Sequence, residues 1–187
     1  AIHFKKMIRD LRENPWNTMH MLAEKMPNTP KSCMGGGLNL NTFGTPTPPA
    51  LGELFWTRLV EIGALNRVQL TGNTADQMSR TFPTLIPFLQ GIGLKCAIAI
   101  SYSISPRHTD ELFAEQTRRA VALKPDVIYL KDQGGLLTLD RIRTLIPIMM
   151  EIVGDIPFEL HSHCTTGLAP LVYLEALELG VETLHTG

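Results

Sequence analysis

Two histidines lie one residue apart in the segment Leu160-His-Ser-His-Cys-Thr-Thr-Gly167, at the end of a predicted strand. Residues two apart in an extended segment point to the same side, so His161 and His163 can hold one metal ion together. Imidazole nitrogens are common ligands of Zn²⁺ and Mn²⁺. Two polar residues hydrogen-bonded at a strand end are the alternative, but the position after an apolar strand favours a metal site.

A lysine and an aspartate follow the preceding predicted strand, in the segment Tyr129-Leu-Lys-Asp-Gln-Gly-Gly135. In isolation, Lys131 and Asp132 are typical of an ion pair before a glycine turn. Neighbouring strands are about 4.8 Å apart, however, and Lys131 and His161 end consecutive strands. Both side chains are therefore expected to reach the same point above the sheet.

Four further residues have two interpretations each. Cys164 is either a soft metal ligand beside the histidines or part of a pocket wall. His185 ends the last predicted strand, where it faces either the site or solvent. Gly36, within a run of three glycines, belongs to an anion-binding loop of backbone N–H groups or to a turn of small residues. Tyr102 supplies a site hydroxyl or packs in the core.

Short apolar runs alternate with helical patterns along the chain. Strands are predicted at 31–34, 67–71, 95–102, 126–130, 156–160 and 181–184. Helices are predicted at 1–16, 16–26, 51–64, 111–123 and 170–179, and after the capping residues Thr74 and Thr138. Pro147 predicts a kink or an early stop in the helix after Thr138.

This alternation predicts parallel βαβ units and an α/β fold. The sheet belongs to an open doubly wound fold or to a (β/α) barrel. About six units, against the eight of a barrel, would make the chain a piece of a barrel. No glycine-rich nucleotide motif follows any predicted strand.

Composition excludes several classes of protein. The 187 residues carry 17 basic and 18 acidic side chains, so the net charge of -1 gives no reason to expect nucleic acid as a partner. No apolar run approaches the roughly 20 residues of a membrane span. The 3 cysteines lie far apart, which argues against a disulfide scaffold and favours a reducing cytoplasm.

The two strand-end motifs resemble those of a known family. LKDQGGLL at 130–137 and HSHCTTG at 161–167 resemble the KDMAGLL and HTHDTSG motifs of the metal-dependent carboxyltransferase barrels of pyruvate carboxylase and oxaloacetate decarboxylase. Hydroxymethylglutaryl-CoA lyase and related aldol-type lyases share that fold. The stretches 12–16 and 26–29 resemble its ENPWERL and MPNT segments, and Ser101-Tyr-Ser103 fits its CYT strand.

The resemblance, which covers nearly the whole chain, implies a (β/α)₈ TIM-barrel type of fold. Residues 1–187 would be a single, incomplete barrel domain that lacks the first strands and the C-terminal tail. Barrel edges left open in this way would favour association, so a homo-oligomer is expected.

A role for each matched residue also follows from the resemblance. His161 and His163 match metal-binding histidines, and Lys131 matches a lysine that is carbamylated and then binds the metal. Asp132 would orient Lys131 or hold its surroundings in place, so Lys131 and Asp132 are the predicted catalytic residues. Substrate contacts are predicted at Gly36, Tyr102 and Thr165.

The implied activity is that of a carboxyltransferase or decarboxylase acting on a 2-oxo acid of the pyruvate or oxaloacetate type. A divalent metal, zinc, manganese or cobalt, would polarise the 2-oxo acid and stabilise its enolate. Biotin on a separate carrier domain or subunit would exchange the carboxyl group.

Several family positions are changed in this chain. The family's LLRGQN becomes Met34-Gly-Gly-Gly-Leu-Asn39, so Gly36 replaces an arginine that secures the substrate carboxylate. FDALND becomes Thr71-Gly-Asn-Thr-Ala-Asp76, and Cys164 stands where the family has aspartate. These changes favour two alternatives: an aldol-type lyase of the same fold that uses the histidines without biotin, or a barrel that has lost catalysis.

Overall fold

The computed structural model describes residues 10–34, 49–71 and 77–186, in which helices and strands alternate. The elements are α1 (Pro15–Lys25), β1 (Ser32–Met34), α2 (Pro49–Glu61), β2 (Arg67–Thr71), a π-helical turn (Gln77–Thr81), α3 (Phe82–Gly91), β3 (Lys95–Ser101), α4 (Asp110–Ala122), β4 (Val127–Asp132), α5 (Leu139–Val153), β5 (Phe158–Ser162), α6 (Ala169–Glu178) and β6 (Thr183–His185). The alternation predicted from the sequence is confirmed. The predicted helix over 1–16 and the Thr74 cap fall largely outside the described residues.

The chain divides into two compact units. The described residues of Ala1–Leu70 and Thr84–Cys96 form the first unit, and those of Thr71–Pro83 and Ala97–Gly187 form the second. Both units are built from parallel strands and helices. The prediction of one domain over 1–187 stays a prediction.

In the first unit, α1 begins where the sequence signals it. The Asn14 side chain accepts a hydrogen bond from the backbone N–H of Trp16 at 3.0 Å, and Pro15 occupies the first turn. The Trp16 ring packs against Phe55 of α2, with ring centroids 5.6 Å apart. Strands β1 and β2 pair in parallel.

The second unit holds a parallel sheet in which β4 pairs with β3 and β5, and β5 pairs with β6. Side chains alternate between its two faces. One face packs under α4, α5 and α6 and is strongly apolar, and its fully buried members include Ile98, Ile100, Ile128, Leu130 and Leu160. The other face carries Ala97, Ala99, Val127 and Tyr129, which form a buried cluster of their own.

Helix α5 shows where packing overrides a local signal. Its cap is as predicted, because the Thr138 hydroxyl accepts from the backbone N–H of Arg141 at 3.2 Å. An early stop at Pro147 is wrong, since the helix continues to Val153. An internal proline costs about 3 kcal/mol, whereas each fully buried aliphatic side chain contributes about 1.5–3 kcal/mol. The buried face consists of Ile142, Leu145, Ile146, Met149 and Val153.

The remaining boundaries differ slightly from those predicted. Strand β6 covers Thr183–His185 rather than 181–184, which places His185 within the strand. None of the described helices has both the length and the apolar character needed to cross a membrane.

Candidate metal and substrate site

Four polar side chains form a row across the second unit's sheet. Ser101 is in register with Lys131, Lys131 with His161, and His161 with His185. Residues in register share one face of a parallel sheet and follow each other at the strand spacing. The structure therefore brings Lys131 and His161 together at the carboxyl ends of adjacent strands, as the sequence predicted, and adds His185 beside them.

The two histidines of the HxH motif are neighbours. The His161 and His163 ring centroids are 5.0 Å apart. Burial, followed by the nearby His185, His163 and Lys131, lowers the pKa of His161 to about 4. Its imidazole is therefore neutral at physiological pH, which is the form that binds metal.

His161 also carries an unsatisfied atom. Its Nε2 is buried and has no hydrogen-bond partner in the part of the chain that the structure describes. A buried polar atom without a partner is costly, and a divalent cation would satisfy it. The residues at this site therefore fit a metal ion, because the unpartnered nitrogen can bind it. Within the described ranges, however, no group of three His, Cys, Asp or Glu residues is arranged to hold a metal ion.

Lys131 lies in an environment that favours its uncharged amine. The residue is only 5% exposed, and burial lowers its pKa from the usual range. Among the described residues it has no ion pair with a carboxylate. A neutral lysine amine is the nucleophile that carbamylation requires.

Asp132 points away from Lys131, as adjacent strand residues must. Its carboxylate is completely buried. Oδ1 accepts the backbone N–H of Leu136 at 2.9 Å, and Oδ2 accepts the backbone N–H of Leu137 at 3.0 Å and the Ser162 hydroxyl at 2.9 Å. The structure thus places Asp132 as the anchor of the loop between β4 and α5. Its predicted catalytic or orienting role toward Lys131 stays a prediction.

The loops after β4 and β5 are fastened to each other. The backbone N–H of His163 donates to the Asp132 carbonyl at 3.0 Å. The hydroxyls of Thr165 and Thr166 donate to the carbonyls of Gly134 and Gly135. Thr165 is exposed, but its hydroxyl already has this backbone partner, and its predicted contact with substrate stays a prediction.

Gly135 is the tightest point of this loop pair. Its φ is +61°, and a Cβ there would overlap the backbone oxygen of His163. Gly135→Ala is expected to lower the free energy of unfolding by about 3 kcal/mol, the sum of left-handed strain and overpacking. Gly93, just after α3, also has a positive φ (+91°) with nothing within 4 Å, so Gly93→Ala should cost only about 1 kcal/mol. Urea unfolding of both variants measures the difference. Equal losses of unfolding free energy would show that a Cβ at position 135 does not clash with the His163 backbone.

Tyr102 lies on the helix side of the sheet. Its ring stacks on Phe113 of α4 at a centroid distance of 5.7 Å, and burial raises its pKa. Its backbone N–H donates to the Lys131 carbonyl at 2.8 Å. The predicted substrate contact of Tyr102 stays a prediction, while Gly36, Leu38 and residues 72–76 lie outside the described residues. Cys164 is an exposed free thiol.

Two features of the site were not predicted from the sequence patterns. Glu159 is only 5% exposed, and its Oε2 lies 2.6 Å from His185 Nε2. The Gln133 amide donates to the Ser101 hydroxyl at 3.2 Å. A signal for Glu159 was available, because it precedes His161 by two residues in a strand and so shares its face.

Similarity to known proteins agrees with the motifs. A pyruvate carboxylase subunit of Methanocaldococcus jannaschii is 32% identical over 187 residues, covering 96% of this chain. The 2-oxoglutarate carboxylase large subunit of Hydrogenobacter thermophilus is 27% identical over 96% of the chain. The carboxyl transferase domain of Rhizobium etli pyruvate carboxylase superimposes with a TM-score of 0.85 over 98% of the chain, at 21% identity.

The chain matches a carboxyltransferase domain. The resemblance inferred from the two motifs is thereby confirmed, and so is the α/β fold of the carboxyltransferase barrel. No family model matches the chain. The chain spans about a third of these relatives, 31% of the Methanocaldococcus sequence, 27% of the 2-oxoglutarate carboxylase large subunit and 31% of the solved domain. Its similarity to carboxyltransferases therefore concerns one part of each of those proteins.

Proposed function

We propose that the chain is part of a metal-dependent carboxyltransferase or decarboxylase that acts on a 2-oxo acid. The observation that carries the proposal is the register of Lys131 with His161, with His163 adjacent and His161 Nε2 buried without a partner among the described residues. A buried lysine whose pKa is lowered by burial, next to two imidazoles, is a donor set for a cation rather than a typical core arrangement. The names of the relatives supply the reaction class.

The chain's own residues have defined roles in this proposal. His161 and His163 hold the divalent ion, which is zinc, manganese or cobalt. Lys131 adds CO₂ through its neutral amine and loses a proton, and the resulting carbamate is an oxygen ligand. When bound, the metal supplies a Lewis acid for the carbonyl oxygen of the substrate. Asp132 and the loop it anchors keep Lys131 and His163 in place.

The partners follow from the same reasoning. One relative is named for pyruvate and another for 2-oxoglutarate, so the substrate is a 2-oxo acid of this kind, with Gly36, Tyr102 and Thr165 as its predicted contacts. Biotin on a separate carrier domain or subunit donates or receives the carboxyl group. We also propose a homo-oligomer in the cytoplasm, with neither a nucleic acid partner nor a membrane span.

Metal content tests the proposal. The intact protein is expected to contain close to one zinc, manganese or cobalt ion per chain by plasma mass spectrometry, and His161→Ala should weaken binding by at least about 100-fold. His20→Ala is the matched control, because His20 is exposed on α1, and it should retain the metal. Intact protein without any bound metal would overturn the proposal.

A second assay separates the reaction classes. With the metal bound, oxaloacetate decarboxylation by the intact protein should depend on added free biotin and should be lost in His161→Ala. If the protein instead cleaves the carbon–carbon bond of an aldol adduct of a 2-oxo acid in the absence of biotin, this result would indicate the aldol-type lyase. A metal-bound protein inactive in both assays would favour the barrel that has lost catalysis.

A further inference from the structure

His185 and Glu159 form a buried pair beside the proposed metal site. The Glu159 side chain is 7% exposed, and that of His185 is 17% exposed. His185 Nε2 and Glu159 Oε2 are 2.6 Å apart, a short hydrogen bond. A carboxylate this deeply buried needs a donor, and His185 provides it.

His185 is held through both its ring and its backbone. Tyr129 packs against it with centroids 5.0 Å apart, and the Tyr173 hydroxyl donates to the His185 backbone carbonyl at 2.7 Å. Its hydrogen bond to Glu159 sets the rotation of the imidazole about its χ angles. His185 is therefore a rigid part of the sheet's inner face rather than a solvated side chain at a strand end.

His161 depends on this rigid neighbour. Its ring meets the His185 ring at 71°, with centroids 5.6 Å apart, and meets that of His163 on another side. Within the described ranges, no hydrogen bond holds the His161 ring. Metal-binding histidines are usually oriented by a hydrogen bond from the ring nitrogen that does not bind the metal. Here ring packing is the contact that remains to orient His161.

We propose that Glu159 and His185 are positioning residues: Glu159 anchors His185, and the His185 ring holds His161 so that Nε2 stays available to a divalent ion. The inference rests on the proposed function, since it takes His161 as a metal ligand. It adds a buried pair, Glu159 and His185, that supports the proposed metal ligand His161, in addition to Lys131 and the HxH motif.

Cobalt affinity tests the inference. Co²⁺ is titrated into the intact protein against a chromophoric chelator, and the visible spectrum of the bound ion reports its coordination. Glu159→Leu removes the anchor and should weaken Co²⁺ binding by about tenfold or more, with a changed spectrum. Glu159→Gln keeps an acceptor for the His185 N–H and should retain most of the affinity. Glu182→Leu, at an exposed carboxylate just before β6, should behave like the parent.

His185→Gln covers the case in which Glu159→Leu fails to fold. The glutamine amide still donates to Glu159 but removes the ring that contacts His161, so Tm should stay near that of the parent while Co²⁺ affinity falls. A folded His185→Gln variant with parental affinity and spectrum would overturn the inference and leave the proposed function intact. A parent that binds no Co²⁺ would instead overturn the metal-dependent function itself.

Discussion

Replacing Lys131 by methionine is expected to lower the rate of carboxyl transfer by about 10³-fold and to stabilise the protein. Methionine keeps the length and apolar stem of lysine but cannot be carbamylated. Lys131 is only 5% exposed, and within the described ranges it has no ion pair. Removing a buried amine of this kind should raise the free energy of unfolding by about 1 kcal/mol.

The control for Lys131→Met is Lys95→Met, because Lys95 is exposed at the start of β3. That variant should change neither the rate nor the stability. Rates come from biotin-dependent oxaloacetate decarboxylation and stabilities from urea unfolding. A Lys131→Met protein with normal turnover would remove Lys131 from the reaction, even if the histidines still bound metal.

The pH dependence of the same variant follows from the lowered pKa of Lys131. At pH values between the lowered pKa of Lys131 in the folded protein and the ordinary lysine pKa of 10.5, Lys131 binds fewer protons in the folded protein than in the unfolded chain. The parent therefore gains stability as pH rises through that window. The advantage of Lys131→Met should be largest below the folded pKa and disappear near pH 10.5. Unfolding in CO₂-free buffer at several pH values measures this convergence.

Carbamylation of Lys131 depends on pH in the same direction, because it also requires the neutral amine. The amine adds CO₂ only when neutral, and the carbamate forms with release of one proton. As pH falls through the lowered pKa of Lys131, the amine becomes protonated and the carbamate is lost. Bicarbonate should therefore increase metal affinity in the parent above that pKa, and it should have no effect on Lys131→Met. Isotope-labelled bicarbonate would identify the carbamate carbon by NMR.

The elements and the central pair of the site could be predicted because they depend on short-range patterns. Apolar runs, the threonine caps and the position of charged residues at strand ends located β4, β5 and their motifs. The register of Lys131 with His161 then follows from the parallel pairing of consecutive strands. Local sequence and tertiary structure agree at these positions, so the prediction needed no knowledge of distant contacts.

The remaining features depend on contacts between distant residues. Glu159 lies in a buried strand, and His185, 26 residues later, pairs with it. Gly135 is required by the backbone of His163, which belongs to another loop. Helix α5 tolerates Pro147 because the apolar residues around it are buried against neighbouring elements. None of these partners is visible in the local pattern of the residue concerned.

Asp132→Ala is expected to lower the free energy of unfolding by about 3–5 kcal/mol, because buried donors left without an acceptor cost about 1–3 kcal/mol each. The carboxylate accepts from the Leu136 and Leu137 backbones and from the Ser162 hydroxyl. Ser162→Ala removes only one of these bonds and should cost about 1 kcal/mol. Asp155→Ala, at an exposed position, should leave stability unchanged.

The same variant separates two roles for Asp132. If its carboxylate is the anchor of the loop after β4, then lost activity should accompany lost stability, and Asp132→Asn should recover part of both because its amide oxygen still accepts a hydrogen bond. A catalytic carboxylate would give the opposite result, with Asp132→Asn as stable as the parent but inactive. The two oxygens face the helix side, opposite to Lys131. The loop that they hold carries the Gly134 and Gly135 carbonyls, which accept hydrogen bonds from the Thr165 and Thr166 hydroxyls. Losing Asp132 should therefore also release His163 from its place beside His161.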